Sequence, residues 1–313
     1  MSLIERPNFI SLIILGVILL IAGGYGLLTY TQGPELEHYD VDKSYDFAFD
    51  FERPDEVAKL PDALKEISGL AAWFNPDEVI SVQDENGEIF IIDTQTGTII
   101  DEYKFGKDRD YEGIARVQDT VYVLERDGDV HRLEWQEGKK EYDANKIETD
   151  FSYRNDTEGI CYDKRTNSLL IVPKEQELNP TDGDDYRRGV YAYDLKTKSM
   201  EPQPRFYVDE FAVGEVIYGK RKPYRMKPSG VAIDPITGHI YVIASVGNIM
   251  VVIDRESGIK HIELLREKTF KQPEGITFNE AGDLFISSEG RGGKGVIVTF
   301  RRNSGKVKQT KSQ

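Results

Sequence analysis

Apolar and polar positions alternate along most of this chain in short β-branched and aromatic runs, bounded by Gly, Asn and Asp. Val79-Ile80-Ser81-Val82, Glu88-Ile89-Phe90-Ile91-Ile92-Asp93 and Thr98-Ile99-Ile100-Asp101-Glu102-Tyr103 form one series. Ile240-Tyr241-Val242-Ile243 and Asn248-Ile249-Met250-Val251-Val252-Ile253-Asp254 begin another. Runs of this length and content predict strands. Each series follows a short phrase that occurs five times: Ser68-Gly69-Leu70-Ala71, Glu112-Gly113-Ile114-Ala115, Glu158-Gly159-Ile160-Cys161, Ser229-Gly230-Val231-Ala232 and Glu274-Gly275-Ile276-Thr277. The glycines are 44, 46, 71 and 45 residues apart. Except for the third, these intervals match one propeller blade, for which repeats run to about 40–50 residues.

The expected fold is therefore all-β: a five-bladed β-propeller of four-stranded blades. One such sheet cannot cover both its faces, whereas stacking blades in a ring does so and leaves only short edges. The repeated Gly suits innermost strands that crowd at an axis. A turn glycine before a strand is the plainer reading, and it does not explain five copies in register. Tyr45-Asp46-Phe47-Ala48-Phe49-Asp50-Phe51 alternates aromatic with polar residues, the period of a strand, and precedes the first phrase. The last series ends at Val296-Ile297-Val298-Thr299-Phe300, one strand short. Residues 45–51 are expected to supply that outer strand and close the ring. The long third interval leaves six blades as the alternative. Its extra stretches, Glu175 to Arg188 and Asp209 to Lys227, read instead as insertions, the second as a short helix plus loop.

From Phe9 to Tyr30 the chain carries no charge, a length that spans a bilayer. A transmembrane anchor at 9–30 is expected, after a cytoplasmic segment 1–8 and before a linker 31–44. A cleaved signal peptide is the rival, but the run is long and lacks an A-x-A site. Arg6 precedes it and Glu35, Glu37, Asp40 and Asp42 follow. Positive-inside then places the N-terminus in the cytoplasm and the propeller, 45–303, in the periplasm or outside. Residues 304–313 read as a basic, disordered tail.

The net charge of −15 argues against nucleic acid as a partner, because phosphate contacts need an excess of Lys and Arg. One cysteine, Cys161, excludes an intrachain disulfide and reads as a small buried residue. The four histidines are scattered, and His239 reads as a surface residue in a turn. No P-loop, G-x-S-x-G elbow or HExxH is present. Asp182-Gly183-Asp184-Asp185 lacks the spacing and terminal Glu of an EF-hand and reads as a solvated acidic loop.

Chemistry is expected where register places equivalent residues together. Glu112, Glu158 and Glu274, with Ser68 and Ser229, precede the phrase glycines. Carboxylates converging on an axis repel unless a cation or bases answer them. Their oxygen donors suit Ca²⁺ or Mg²⁺, which makes these three acids the candidate metal ligands. Aligning the second strands puts Asp84, Arg126, Lys174, Ser245 and Glu289 just past their ends. Arg126, Lys174 and Glu289 thus join the candidate channel site. Equally, Glu112–Arg126 and Glu158–Lys174 read as ion pairs that merely hold strands together.

Tyr111-Glu112-Gly113-Ile114-Ala115, Asp156-Thr157-Glu158-Gly159-Ile160, Lys174-Glu175, Pro228-Ser229-Gly230-Val231-Ala232-Ile233-Asp234-Pro235 and Gln272-Pro273-Glu274-Gly275-Ile276, in this order, resemble the SdiA-regulated family over residues 45–300. The resemblance implies a bacterial, often membrane-anchored propeller, distantly similar to phytase-like and NHL-type propellers, with calcium-linked roles in some members and no settled reaction. The first functional expectation is a membrane-tethered ligand- or protein-binding module, with Ca²⁺ in the channel. The second is a Ca²⁺-dependent phosphate-ester hydrolase. That chemistry needs several cations and bases to hold phosphate, for which Arg126, Lys174, Arg187 and Arg188 are candidates.

Overall fold

The computed structural model describes residues 14–20, 37–180 and 186–303. It divides into a unit Met1–Glu37 and a unit His38–Gln313. In the first, residues 14–20 are helical. The rest of the expected 9–30 anchor lies outside the described residues, as do segment 1–8, the Asp182–Asp185 loop and the tail 304–313. Among the described residues no helix is long and apolar enough to cross a membrane.

The second unit holds five sheets. Three of the blades take the expected strand order from consecutive segments: Ile67–Ala72 to Ile99–Lys104, Tyr111–Val117 to Asn145–Ile147, and Lys227–Ile233 to Ile259–Leu264. In the third blade, Thr157–Asp163, Ser168–Pro173 and Arg187–Asp194 are followed by two short outer strands, Ser199–Met200 and Phe206–Asp209. The long interval is thus an elaborated blade, and the six-bladed alternative is ruled out. Helix Glu210–Tyr218 follows. Asp209 starts it by accepting from the Phe211 and Ala212 amides, and Gly219 ends it with a left-handed φ of 61°. Its Val213 and Ile217 pack into the core shared by the third and fourth blades.

Innermost strands meet in sequence around the ring, and Pro273–Phe278 meets Ile67–Ala72. Each carries a β-bulge at its phrase: the register slips between Ile67 and Leu70, Tyr111 and Gly113, Thr157 and Gly159, Pro228 and Gly230, and Pro273 and Ile276. The phrase glycines are there for contact between blades. A Cβ on Gly69 would lie 2.6 Å from Gly113 Cα, and one on Gly275 would lie 2.6 Å from the Ser68 carbonyl. Gly113, Gly159 and Gly230 each abut the next blade in the same way. Serines reinforce these seams: Ser229 Oγ donates to the Pro273 carbonyl at 2.6 Å and Ser287 Oγ to the Ser68 carbonyl at 2.9 Å.

Two N-terminal segments join the ring differently from expectation. The fourth strand of the last blade is Glu56–Lys59, antiparallel to Val296–Phe300. Residues 45–51 form no strand. Their alternating aromatics are wedged between the fourth and fifth blades instead. Phe47 stacks on His261 at 3.7 Å, Phe51 on Phe300 at 4.2 Å, and the Tyr45 and Tyr241 hydroxyls lie 2.6 Å apart. Burying one aromatic face in a core satisfies the same period-2 pattern without sheet pairing. Within the expected linker, His38–Asp40 adds a fifth strand to the fourth blade, so the folded unit begins earlier than residue 45. His239 is half-buried against Tyr45, at 4.7 Å between rings, and is not a surface residue.

Candidate functional site

The N-terminal ends of the innermost strands gather acids at one end of the ring. The register of each innermost strand slips at its phrase, and the second strands end beside it. Glu158 and Glu274 are buried, at 4% and 5% exposure, and Glu112 is partly buried. Lys174 Nζ donates to Glu158 Oε1 at 2.5 Å. Glu158's charge and this bond raise the Lys174 pKa against the effect of burial. The other expected pair does not form. Arg126 Nε binds Asp156, and its Nη1 lies 3.7 Å from Asp110. Glu274 Oε2 is buried without a hydrogen-bond partner, as is Asp84 Oδ1.

Burial dominates the electrostatics here. It pushes Glu112 and Glu274 well above the usual carboxylate range, and the Glu158 charge adds to the shift in both. Glu158 rises to about 7 through burial, with Lys174 pulling back. Glu289 rises to about 7 through burial and then Asp84, and Asp84 to about 6 through burial, then Glu66 and Glu85. The end is thus a weakly answered cluster of acids that stores protons near neutrality. Glu66 and Glu85, which act on Asp84, were not among the residues that register picked out.

A divalent ion needs several oxygens within about 2.3–2.6 Å of one point. Among the described residues no three His, Cys, Asp or Glu side chains are grouped to hold a metal. The Lys174 ammonium answers Glu158, and the phrase serine of the fourth blade bonds to backbone across a seam. Glu112, Glu158 and Glu274, the Ca²⁺ ligands expected from register, are not grouped in that way. As carboxylates they can accept hydrogen bonds from a cationic group.

A cavity of about 10 Å³ lies beside Gly69, Leu70, Ile114, Ile160, Val231 and Ile276, too little for more than one water. Beyond Leu70, Ile114 and Ile160, which line both spaces, the C-terminal ends of the innermost strands open into a funnel of about 530 Å³. Leu70, Ile114 and Ile160 form its floor, and Trp73, Phe74 and Arg116 belong to its wall. Sequence reasoning missed this end. The signal available was the pair Trp73-Phe74 directly after the first phrase strand, together with Arg116 three residues after the second phrase glycine.

A family model described as SdiA-regulated matches residues 49–204 and 212–291. No curated protein matches the chain. Among solved structures, glutaminyl cyclase of Myxococcus xanthus aligns with a TM-score of 0.51 at 12% identity, over 80% of this chain and 95% of that one. The PQQ-bound aldose sugar dehydrogenase of Streptomyces coelicolor aligns with a TM-score of 0.47 at 13% identity, over 80% and 99%. At such identities the first of these likenesses speaks for the fold alone.

Proposed function

The chain belongs to the SdiA-regulated family, and from that premise we propose that its propeller is a binding module that takes a cationic ligand at the carboxylate end of the ring. The observation that carries this reading is Glu274 Oε2, buried and unpartnered among Glu112, Glu158, Glu289 and Asp84. An organic ammonium or guanidinium spreads its N–H donors over several ångströms, so it suits carboxylates too dispersed for one metal ion. Binding releases the protons that these acids hold, so affinity rises with pH through about 6–8, the range in which Asp84, Glu158 and Glu289 ionise.

The uncharged run 9–30 supports a tether to the cytoplasmic membrane, and Arg6 before it supports an extracytoplasmic propeller. For a Ca²⁺-dependent phosphate-ester hydrolase the supporting groups are the same bases. Arg126 is engaged by Asp156, Lys174 by Glu158, and Arg188 by Glu210 at 2.8 Å. This engagement favours binding over hydrolysis. Calorimetric titration of the His38–Gln313 unit with spermidine, with arginine methyl ester and with CaCl₂, at pH 6 and pH 8, tests the proposal. The expected result is saturable heat from an organic cation, stronger at pH 8 and lost in Glu274→Gln. Saturation by Ca²⁺ alone would replace the organic cation with a metal. Silence from all three would remove the carboxylate end as a ligand site.

A further inference from the structure

We propose that the funnel at the opposite end of the ring is a second, separate site, and that it binds a small apolar molecule bearing one carboxylate. Three observations carry this. The first is size and lining: about 530 Å³ lies within the span of small-ligand pockets. Its floor is Leu70, Ile114 and Ile160, all nearly fully buried, and small side chains such as Ala72, Ala115 and Ala232 keep the walls back.

The second is a cation that lies over the Trp73 and Phe74 rings, 5.7 and 4.5 Å from their centroids, with no described carboxylate beside it. Arg116 is half-buried on the wall, and among the described residues no carboxylate lies within ion-pair distance of it. Its guanidinium donates to the backbone carbonyls of Ala72 at 2.9 Å, Gln118 at 2.9 Å and Trp73 at 3.2 Å. Those three bonds fix the group and leave two of its five N–H donors over. Burial lowers the Arg116 pKa, and Glu280 and Asp119 oppose this only through their more distant charge. A positioned guanidinium short of an anion is suited to a carboxylate.

The third is the aromatic shelf beside it. Arg116 sits 4.5 Å from the Phe74 ring centroid, and Phe74 leaves 48% of its surface exposed. Trp73 and Trp135 meet edge to face at 5.2 Å behind it. Phe74 thus offers an apolar wall next to the cation, so an organic tail and an acidic head would be met by adjacent surfaces. The lining acid, Glu280, disfavours a dianion and limits the head to one charge.

The shelf also supplies the readout, because Trp73 and Trp135 are the chain's two tryptophans. Tryptophan emission of the His38–Gln313 unit is titrated with 3-phenylpropionate and with its neutral amide, and repeated on the full chain. The expected result is a saturable change with the acid and affinity at least about tenfold weaker for the amide, the scale of a lost charge-assisted bond. Arg116→Met should bring the two ligands to similar affinity. Ala232→Phe, which leaves Arg116 untouched, should weaken both. Equal binding of acid and amide by the unaltered protein would overturn the charge-recognition proposal, whether or not the Arg116 variant folds. No saturable change with either ligand would overturn the site altogether. Glu274→Gln should leave this titration unchanged, which separates it from events at the carboxylate end.

Discussion

Lys174 Nζ stands 2.5 Å from Glu158 Oε1, and this bond answers one carboxylate of an end that carries at least four more. Removing one member of a buried pair strands the other charge. Lys174→Met should therefore destabilise the folded state by about 3 kcal/mol at pH 9, the low end for such pairs. At pH 6 the cost should be smaller, because Glu158 then takes up a proton. Urea unfolding at both pH values measures this, and an equal cost at both would mean that Glu158 does not titrate in this range.

Stability should fall as pH rises from about 5 to about 8. Asp84, Glu158 and Glu289 have folded-state pKa values above their usual ones, at about 6, 7 and 7. The folded chain then holds more protons than the unfolded chain between those values. The contribution of these groups is complete below about pH 4 and is lost as pH passes through 6 and 7. Below about pH 4 the opposite set takes over, since Glu125, Asp163 and Asp283 are lowered by hydrogen bonds and ion pairs that win against burial. Thermal melts from pH 3.5 to 8.5 should peak near pH 5. A Tm that rises from pH 5 to 8 would contradict the raised values.

Glu274→Gln and Glu112→Gln should behave as near-isosteres of protonated acids. Both should hold or raise Tm at pH 7.5, because each removes a carboxylate whose ionisation burial opposes. A marked loss of Tm at pH 7.5 would show that the ionised forms stabilise the fold.

Gly275→Ala should destabilise by about 2–3 kcal/mol, the range for overpacking where nothing can move aside. Its Cβ would meet the Ser68 carbonyl at 2.6 Å and the Leu70 amide nitrogen at 2.7 Å, both of them backbone. Chemical unfolding checks this. A neutral result would mean that the first and last blades are not in tight contact.

A fragment beginning at His38 should melt cooperatively and at a higher temperature than one beginning at Ser44, which lacks the strand paired to Ile259–Leu264. A fragment beginning at Pro61 also lacks Glu56–Lys59 and should show no cooperative melt. Circular dichroism on the three fragments ranks them, and equal melting temperatures would show that these strands do not stabilise the ring.

The repeat phrase made the blades legible because one steric demand recurs at every seam: Gly69 against Gly113 and Gly159 against Gly230 leave no space for a side chain. Register alone also placed Asp84, Arg126, Lys174 and Glu289 with the phrase acids. It could not say which charges pair, since Arg126 passes over Glu112 for Asp156 on the next blade. Glu56–Lys59 was invisible for a different reason. It is four residues long and mostly exposed, so it carries no apolar run, whereas 45–51 carries a strong one and packs its aromatics without pairing. The funnel escaped because its wall uses a single Arg and two adjacent aromatics outside any repeated position.

Lys59 and Val296 are partners in the same ladder. A ribosome delivers the first long before the second. Until Val296–Phe300 emerges, Glu56–Lys59 waits without a mate and Leu284–Ser288 presents an open edge, the kind of surface on which nascent chains aggregate. Four blades can form as they are made, but the fifth becomes whole only when the last strand arrives. Premature termination before residue 296 would therefore leave a split ring with two sticky lips rather than a smaller propeller.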